Sequence, residues 1–290
     1  MTLLFAAVRA AHFLSLMGLF GSAAFLTLLD ARALPMPPEK MTQIFFPAAA
    51  VTALVTAILW FFLVTGRMAG DWRAAFDPAT LRLVTGATEF GRVAVWRIAG
   101  LILLLGQCLS PARDRKGAMA LLAALLLASL GLTSHAAAAA GAFPLLRAVN
   151  DAMHLLAAGF WVGGLVILAG LVRRYYRQPQ MLEAPFRLFS RWGTLAVAAL
   201  IASGLANAAS ILPVRSLSTD NAYADVLAVK ITLALLMVVL AVVNRLELVP
   251  VLGAGREKTV RQLDRSVLAE ILLGVLVIGI VGYLGQMAPA

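Results

Sequence analysis

The chain has 290 residues, of which 62% are hydrophobic and only 13% are charged, and its formal net charge is +10. A soluble domain of this length carries about twice that charged fraction, so the composition excludes a soluble protein. In a chain this apolar, positive charge is typical of loops that face anionic lipid, and we predict no nucleic-acid partner. Cys108 is the single cysteine, which excludes an intramolecular disulfide and a paired-cysteine metal site.

Eight apolar stretches are long enough to cross a bilayer as helices of about 20 residues. They are residues 3–29, 43–65, 92–110, 117–138, 148–172, 188–212, 225–248 and 267–287. Short breaks rich in proline, glycine and charge separate them, and the longest break, residues 66–91, has room for one short interfacial helix. The sequence therefore predicts an all-α bundle of eight transmembrane helices. It forms a single integral membrane domain over residues 1–290, with no fused soluble domain.

The distribution of basic residues between the loops predicts the orientation of this bundle. The loops after spans one, three, five and seven hold fifteen lysines and arginines, whereas the other three loops hold six. Cytoplasmic loops carry the excess of basic residues, so the richer set is predicted to face the cytoplasm. Both termini are then predicted to lie on the outer side of the membrane.

With this orientation, all three histidines fall in the outer half of the predicted bundle. His12 lies about nine residues below the outer end of the first span, which is roughly 14 Å. His135 lies in the last turn of the fourth span, and His154 lies about six residues, or roughly 9 Å, inside the fifth. Ionisable side chains at such depths are expensive and often functional, which predicts a metal- or proton-handling site. The alternative is that each is an interfacial histidine held by hydrogen bonds.

Four further residues are candidates for the same site. Asn150 and Asp151 precede His154 by four and three residues, so they share its helix face and can orient it or join it as ligands. Met153 is adjacent to His154, and Met17 lies about 7 Å below His12. Both thioethers are possible soft ligands, and the alternative for each is packing or lipid contact.

Other polar and small residues within the spans favour structural roles. Ser203 and Asn207 are typical of hydrogen bonds between membrane helices, and Gly163-Gly164 is typical of a close helix contact. Trp161 is predicted to be a packing residue. Arg97 is predicted to reach outward to the interface or to pair with a carboxylate.

Several motifs resemble those of the copper-resistance protein D (CopD) family of bacterial inner-membrane proteins, and the likeness covers nearly the whole chain. The segment from His135 to His154, with the Phe-Trp161-Val-Gly-Gly that follows, is its most specific part. The other motifs are Arg9-Ala-Ala-His12-Phe, Phe90-Gly91-Arg92 leading to Trp96-Arg97, Ser203-Gly204 with Asn207, and Lys230 followed by Asn244-Arg245 and Pro250.

The resemblance implies a multi-pass, copper-handling protein that moves copper from the periplasm towards the cytoplasm. It also implies a separate periplasmic partner of the CopC type, besides the lipid bilayer. His12, His135 and His154 stand at the family's histidine positions and are the candidate copper ligands. Imidazole accepts both Cu(I) and Cu(II), so the ligand set leaves the oxidation state open.

Two other functions stay open at this point. The first is a copper chaperone or assembly factor that binds the metal on the periplasmic side without transporting it. The second is an electron-transfer protein with one b-type haem, held by His154 together with His12 or His135. We do not predict an enzyme, because the sequence contains no nucleophile–base pair, carboxylate dyad or nucleotide-binding loop.

Overall fold

The computed structural model describes residues 2–110, 115–132, 144–211, 222–254 and 257–287. Within these ranges the chain is helical and contains no strand. The helices are α1 (Thr2–Asp30), α2 (Glu39–Ala69), α3 (Pro78–Ala87), α4 (Glu89–Leu109), α5 (Lys116–Leu132), α6 (Pro144–Arg174), α7 (Gln180–Ile211), α8 (Ala222–Val243) and α9 (Glu257–Leu284). Between α8 and α9 the chain forms a π-helical turn, Asn244–Leu248, and then a 3-10 segment, Val249–Ala254.

Seven of the described helices are long and apolar enough to cross a membrane, which confirms an all-α, multi-pass protein. The shorter apolar helix α5 coincides with the fourth predicted span and has 17 residues. The predicted end of that span, at residue 138, lies outside the described residues. The count of eight spans therefore stays a prediction.

The segment between α2 and α4 contains the short helix α3, in the break where the sequence predicts room for one short helix. Asp77 caps it, because its carboxylate accepts hydrogen bonds from the backbone N–H of Thr80 and from the Thr80 hydroxyl, both at 2.8 Å. These bonds stabilise the ionised form and lower the pKa of Asp77. The ring of Trp72 folds back over Gly66 near the end of α2, so this connection lies against the bundle.

Helices that follow one another in the bundle run in opposite directions. Arg97 of α4 bonds to Ser129 of α5, and Gly100 lies against Leu126. The same pattern relates α9 to α1, where Gly282 lies against Ala6. The start of α1 and the end of α9 therefore lie at the same face of the bundle.

The centre of the bundle is the pair α1 and α6, which run parallel to each other. Gly159 lies against Met17, and Gly163 lies against Gly21. A Cβ atom added at Gly163 would be 2.6 Å from the backbone nitrogen of Ser22, so the two backbones touch without intervening side chains. The Ser22 hydroxyl also donates to the carbonyl of Gly163 at 2.9 Å. The close approach predicted for Gly163 is thus confirmed, whereas Gly164 makes room for the ring of Phe189.

Candidate functional site

His154 lies on α6, in the face that packs against α7. Its Nδ1 atom is 2.8 Å from the hydroxyl oxygen of Ser203. That hydroxyl donates its own proton to the carbonyl of Ala199 at 2.5 Å, so it accepts from His154. The Nδ1 atom therefore carries the imidazole proton, and the lone pair of the ring is on Nε2. Metal-binding histidines are commonly oriented in this way through the nitrogen that does not touch the metal.

The neighbours of His154 hold α6 and α7 together. The Asn150 amide nitrogen donates to the carbonyl of Ser203 at 3.1 Å and to the side-chain oxygen of Asn207 at 2.6 Å. The predicted bridging role of Ser203 and Asn207 is therefore confirmed. Because both described bonds of Asn150 point to α7, they fix the level at which His154 meets Ser203.

Asp151 lies on the side of α6 that faces the end of α5. A Cβ atom at Gly131 would be 3.2 Å from the Cβ atom of Asp151. Lys230 of α8 interacts electrostatically with both Asp151 and His154. A cation, an acid and an imidazole are thus gathered in one region between α5, α6 and α8.

The two candidate methionines do not accompany the histidines. Met153 is 42% exposed and lies on the outer surface of α6. Met17 is buried in the contact with Gly159, between α1 and α6. Ligation of a metal by either thioether stays a prediction.

His12 is completely buried between α1 and α2, with 0% of its surface exposed. Its Nδ1 atom lies 3.1 Å from the carbonyl oxygen of Ala53, which can only accept, so this nitrogen also carries the proton. The hydroxyl of Thr56 lies at the same distance. The Nε2 atom has no hydrogen-bond partner among the described residues. Like His154, His12 is thus held by Nδ1 and has the lone pair of its ring on Nε2.

A small cavity adjoins His12, between α1, α2 and α4. Its volume of about 10 Å³ has room for about one water molecule. Aromatic rings form much of the lining, with Trp60, Phe61 and Phe90 around it. Arg97 lines it too, and its positive charge opposes the binding of a cation at His12.

His12 and His154 lie at the same level of the bundle but point away from each other. Each lies five residues before its member of the Met17–Gly159 contact, which puts them level on parallel helices. His12 lies nine residues before Gly21, and His154 lies nine residues before Gly163, which is two and a half helical turns in each case. Each histidine side chain therefore points away from the side of its helix that makes the Gly21–Gly163 contact. The contacts agree, since His12 meets α2 and His154 meets α7. One metal ion or haem cannot use both imidazoles in this arrangement.

The third candidate histidine, His135, lies outside the described residues. Within the described ranges, no three His, Cys, Asp or Glu side chains come together in a group that could hold a metal. Near the end of α5, Gly131 packs against Ala148 and Ala152 of α6, within two turns of His154.

Two residues have partners that the sequence analysis did not identify. Arg97 is 6% exposed and donates to the hydroxyl and the carbonyl of Ser129, so it turns into the bundle and does not reach outward. Trp161 is more than a packing residue, because its indole N–H donates to Glu270 at 3.2 Å. The sequence could have drawn attention to Glu270, because it is an acidic residue near the start of the eighth predicted span, where lipid tolerates few charges.

Two family models match the chain. Residues 1–144 match the model described as "Copper resistance protein D-like, N-terminal domain". Residues 183–284 match the model described as "Copper resistance protein D". The chain belongs to the copper-resistance protein D family. Together the two matches account for most of the bundle and leave α6, which carries His154, between them.

Curated relatives extend this membership over the whole chain. The chain is 29% identical to "Inner membrane protein YebZ" of Escherichia coli (strain K12), over 98% of this chain and 97% of the relative. It is also 29% identical to "Copper resistance protein D" of Pseudomonas syringae pv. tomato, over 98% and 96% of the two chains. "Copper transport protein CutJ" of Bacillus subtilis (strain 168) is 30% identical over 72% of this chain and 39% of its own length. No solved structure matches the chain.

These family members and the seven long apolar helices identify a copper-related, multi-pass protein of the inner membrane. The names of two relatives refer to copper resistance and copper transport.

Proposed function

We propose that this protein takes up copper from the periplasmic side at His154 and passes it through the bundle towards the cytoplasm. The observation that carries the proposal is the hydrogen bond between His154 and Ser203, which puts the imidazole proton on Nδ1 and the metal-binding lone pair on Nε2. Copper here is the transported substrate. A histidine ligand set suits either oxidation state of copper.

The proposed ligand set is His154 with His135, and with Asp151 as a further ligand or as an orienting carboxylate. Asp151 lies between His154 and the end of α5, the helix that precedes His135 in the chain. The packing of Gly131 against Ala148 and Ala152 supports this grouping, because it brings α5 to the level of the site. His12 then forms a second and separate copper position on the other side of α1.

The proposed topology has eight spans with both termini in the periplasm. Its support is the alternation of helix direction, because α1 and α6 can run parallel only if α5 also returns across the bundle. At the opposite face of the bundle, Lys116 pairs with Asp30 at 3.0 Å, where the basic loops are predicted. The histidine level lies nearer the periplasmic face, which a separate CopC-like partner can reach.

Copper binding by the purified protein tests the ligand set. We expect about one tightly bound copper per chain, measured by competition with a chelator and by metal analysis. His154→Ala should lose this copper. Val149→Ala, at an exposed position of the same helix, should keep it. Equal copper binding by His154→Ala and the wild type would contradict the proposal.

Copper uptake by proteoliposomes tests the transport step. The wild type should accumulate copper inside the vesicles, and His154→Ala should not. Copper that binds without accumulating would contradict transport and would favour the chaperone or assembly function.

A further inference from the structure

The bundle contains a buried acid that the proposed copper site does not use. Glu270 lies halfway along α9, and 2% of its surface is exposed. One carboxylate oxygen accepts from the indole N–H of Trp161 at 3.2 Å, and the other accepts from the Asn244 amide at 2.7 Å. The three side chains come from three separate helical segments, so the bundle builds a specific place for this carboxyl group.

The two donors leave the charge of Glu270 unbalanced. Both are neutral, and no basic side chain pairs with this carboxylate in the described parts of the chain. Burial of an ionised group without an opposite charge costs more free energy than burial of a neutral polar group without hydrogen bonds. The missing partner is therefore a positive species, either a proton or a metal cation.

The geometry favours a proton over a metal. Both carboxylate oxygens already accept hydrogen bonds, and no other acid, histidine or cysteine joins Glu270 in a group of three within the described ranges. Metal cations held by oxygen need several ligands, and copper prefers nitrogen and sulfur. A proton needs only one oxygen atom.

Asn244 can serve both protonation states of Glu270. In the described arrangement its nitrogen donates to the carboxylate, while its buried side-chain oxygen has no partner among the described residues. Rotation of the amide by half a turn would bring that oxygen to Glu270, where it could accept from a protonated carboxyl. Asn244 opens the π-helical turn after α8, a type of irregularity that recurs at functional sites.

The surroundings of Glu270 isolate it from other charges. On α6 the one titratable side chain between Asp151 and Arg173 is His154, seven residues before Trp161. The α8 helix contributes the apolar Met237, which lies near Gly274 one turn along α9. The π turn carries Arg245 and Glu247, and α9 carries Glu257, Lys258, Arg261, Asp264 and Arg265 before Glu270. None of them has a described bond to Glu270. From α1 the charged residue at α9 is Arg9, which lies at Gly285, about four turns away.

We propose that Glu270 binds and releases a proton inside the bundle and that copper movement is coupled to this step. In the forward step the carboxylate takes a proton from hydronium and leaves water, and no electron is transferred. The coupling rests on the proposed function, whereas the proton site stands on the geometry of Glu270, Trp161 and Asn244. Trp161 follows His154 by seven residues, so it shares the same face of α6 about 10 Å farther along. One helix face thus joins the copper position to the proton position.

Infrared difference spectroscopy of the full-length protein in lipid nanodiscs tests the proton site directly. On acidification the wild type should gain the carbonyl band of a buried protonated carboxyl group. Glu270→Gln should lack this band, and Glu247→Gln, at an exposed position beside Asn244, should keep it. A band that persists in Glu270→Gln, or that is absent from the wild type, would overturn the proposal.

A second variant guards against a folding defect in Glu270→Gln. Glu270→Asp keeps a titratable group on a shorter side chain, so it should recover a band at a different pH. Absence of a band in a folded Glu270→Asp protein counts against the site.

Proteoliposomes test the coupling. An acidic exterior should speed copper uptake by the wild type, and Glu270→Gln should lose this response while it still binds copper through His154. A retained response would overturn the coupling. If the wild type moves no copper at all, the proposed function fails, and the infrared result still decides whether Glu270 exchanges a proton.

Discussion

The Nδ1 atom of His154 lies 2.8 Å from the hydroxyl oxygen of Ser203, and that hydroxyl donates its proton to the carbonyl of Ala199. One serine therefore sets both the tautomer and the direction of the imidazole. The bond joins α6 to α7, so the ligand atom of the proposed site depends on how these two helices meet.

Ser203→Ala should weaken copper binding without removing it. Loss of a hydrogen-bond partner behind a ligand histidine typically costs about 10- to 100-fold in metal affinity. The measurement is copper affinity by chelator competition, with the number of bound ions unchanged. Ser190→Ala, on the same helix near its other end, is the matched control and should retain the wild-type affinity. An unchanged affinity in Ser203→Ala would mean that His154 is not oriented by this bond when metal is present.

Gly163→Ala should destabilise the bundle. The added Cβ atom would lie 2.6 Å from the nitrogen of Ser22 and 2.7 Å from the Cα atom of Gly21, and neither backbone atom can move alone. Overpacking of this kind costs about 1–3 kcal/mol, so the thermal unfolding midpoint in detergent should fall.

The matched control for Gly163→Ala is Gly279→Ala on α9, where a Cβ atom meets nothing within 4 Å. Alanine in a helix is more favourable than glycine by about 0.5–1 kcal/mol, so this variant should be as stable as the wild type or slightly more stable. If both variants lose the same stability, the close contact between α1 and α6 is not the reason.

Arg97→Gln should reveal whether His12 can bind copper. Arg97 lines the same cavity as His12, and its charge opposes a cation there. In a His154→Ala background, removal of this charge should strengthen the remaining copper binding by at least about tenfold, or about 1.4 kcal/mol. Arg97→Lys keeps the charge and should give no such gain. If Arg97→Gln also gives none, His12 serves the structure and not the metal.

The cap at Asp77 should make the end of α3 sensitive to acid. Hydrogen bonds from Thr80 lower the pKa of this carboxyl group in the folded state. They therefore stabilise the folded state when the pH is above the pKa of an unfolded aspartate, and this stabilisation is lost as the pH falls through the lowered pKa of the folded state. The protection factors of the α3 amides, which correct for the intrinsic pH dependence of exchange, should therefore fall at acidic pH. In Asp77→Asn, which caps without titrating, the same amides should respond less. Identical acid responses in both proteins would show that this cap does not control α3.

The sequence predicts the positions of the helices well, because lipid restricts both the length and the polarity of a spanning segment. The second predicted span, residues 43–65, lies inside α2. Residue counting places His12 deeper than His154, whereas the contact between Met17 and Gly159 puts the two histidines level. The face on which each histidine lies was not predictable. The helix α1 is apolar nearly all round, so its composition does not show which side meets α6.

The roles of Arg97, Trp161 and Glu270 were missed for a related reason. Glu270 receives its bonds from residues 109 and 26 positions away in the chain, and only tertiary packing brings them together. Arg97 likewise finds its described partner, Ser129, on the next helix. A single sequence shows that such residues are unusual in a membrane span, but it does not show their partners.

The contact between Gly21 and Gly163 also limits how the bundle can move. Two helices whose backbones touch leave no space for an ion between them and resist sliding past each other, so α1 and α6 form one rigid unit. Any opening and closing then has to take place in the layers on either side. Rocking of α2 and α4 would uncover His12, and rocking of α7 would uncover His154. The α2–α4 side and the α7 side of this rigid unit can therefore open independently of each other.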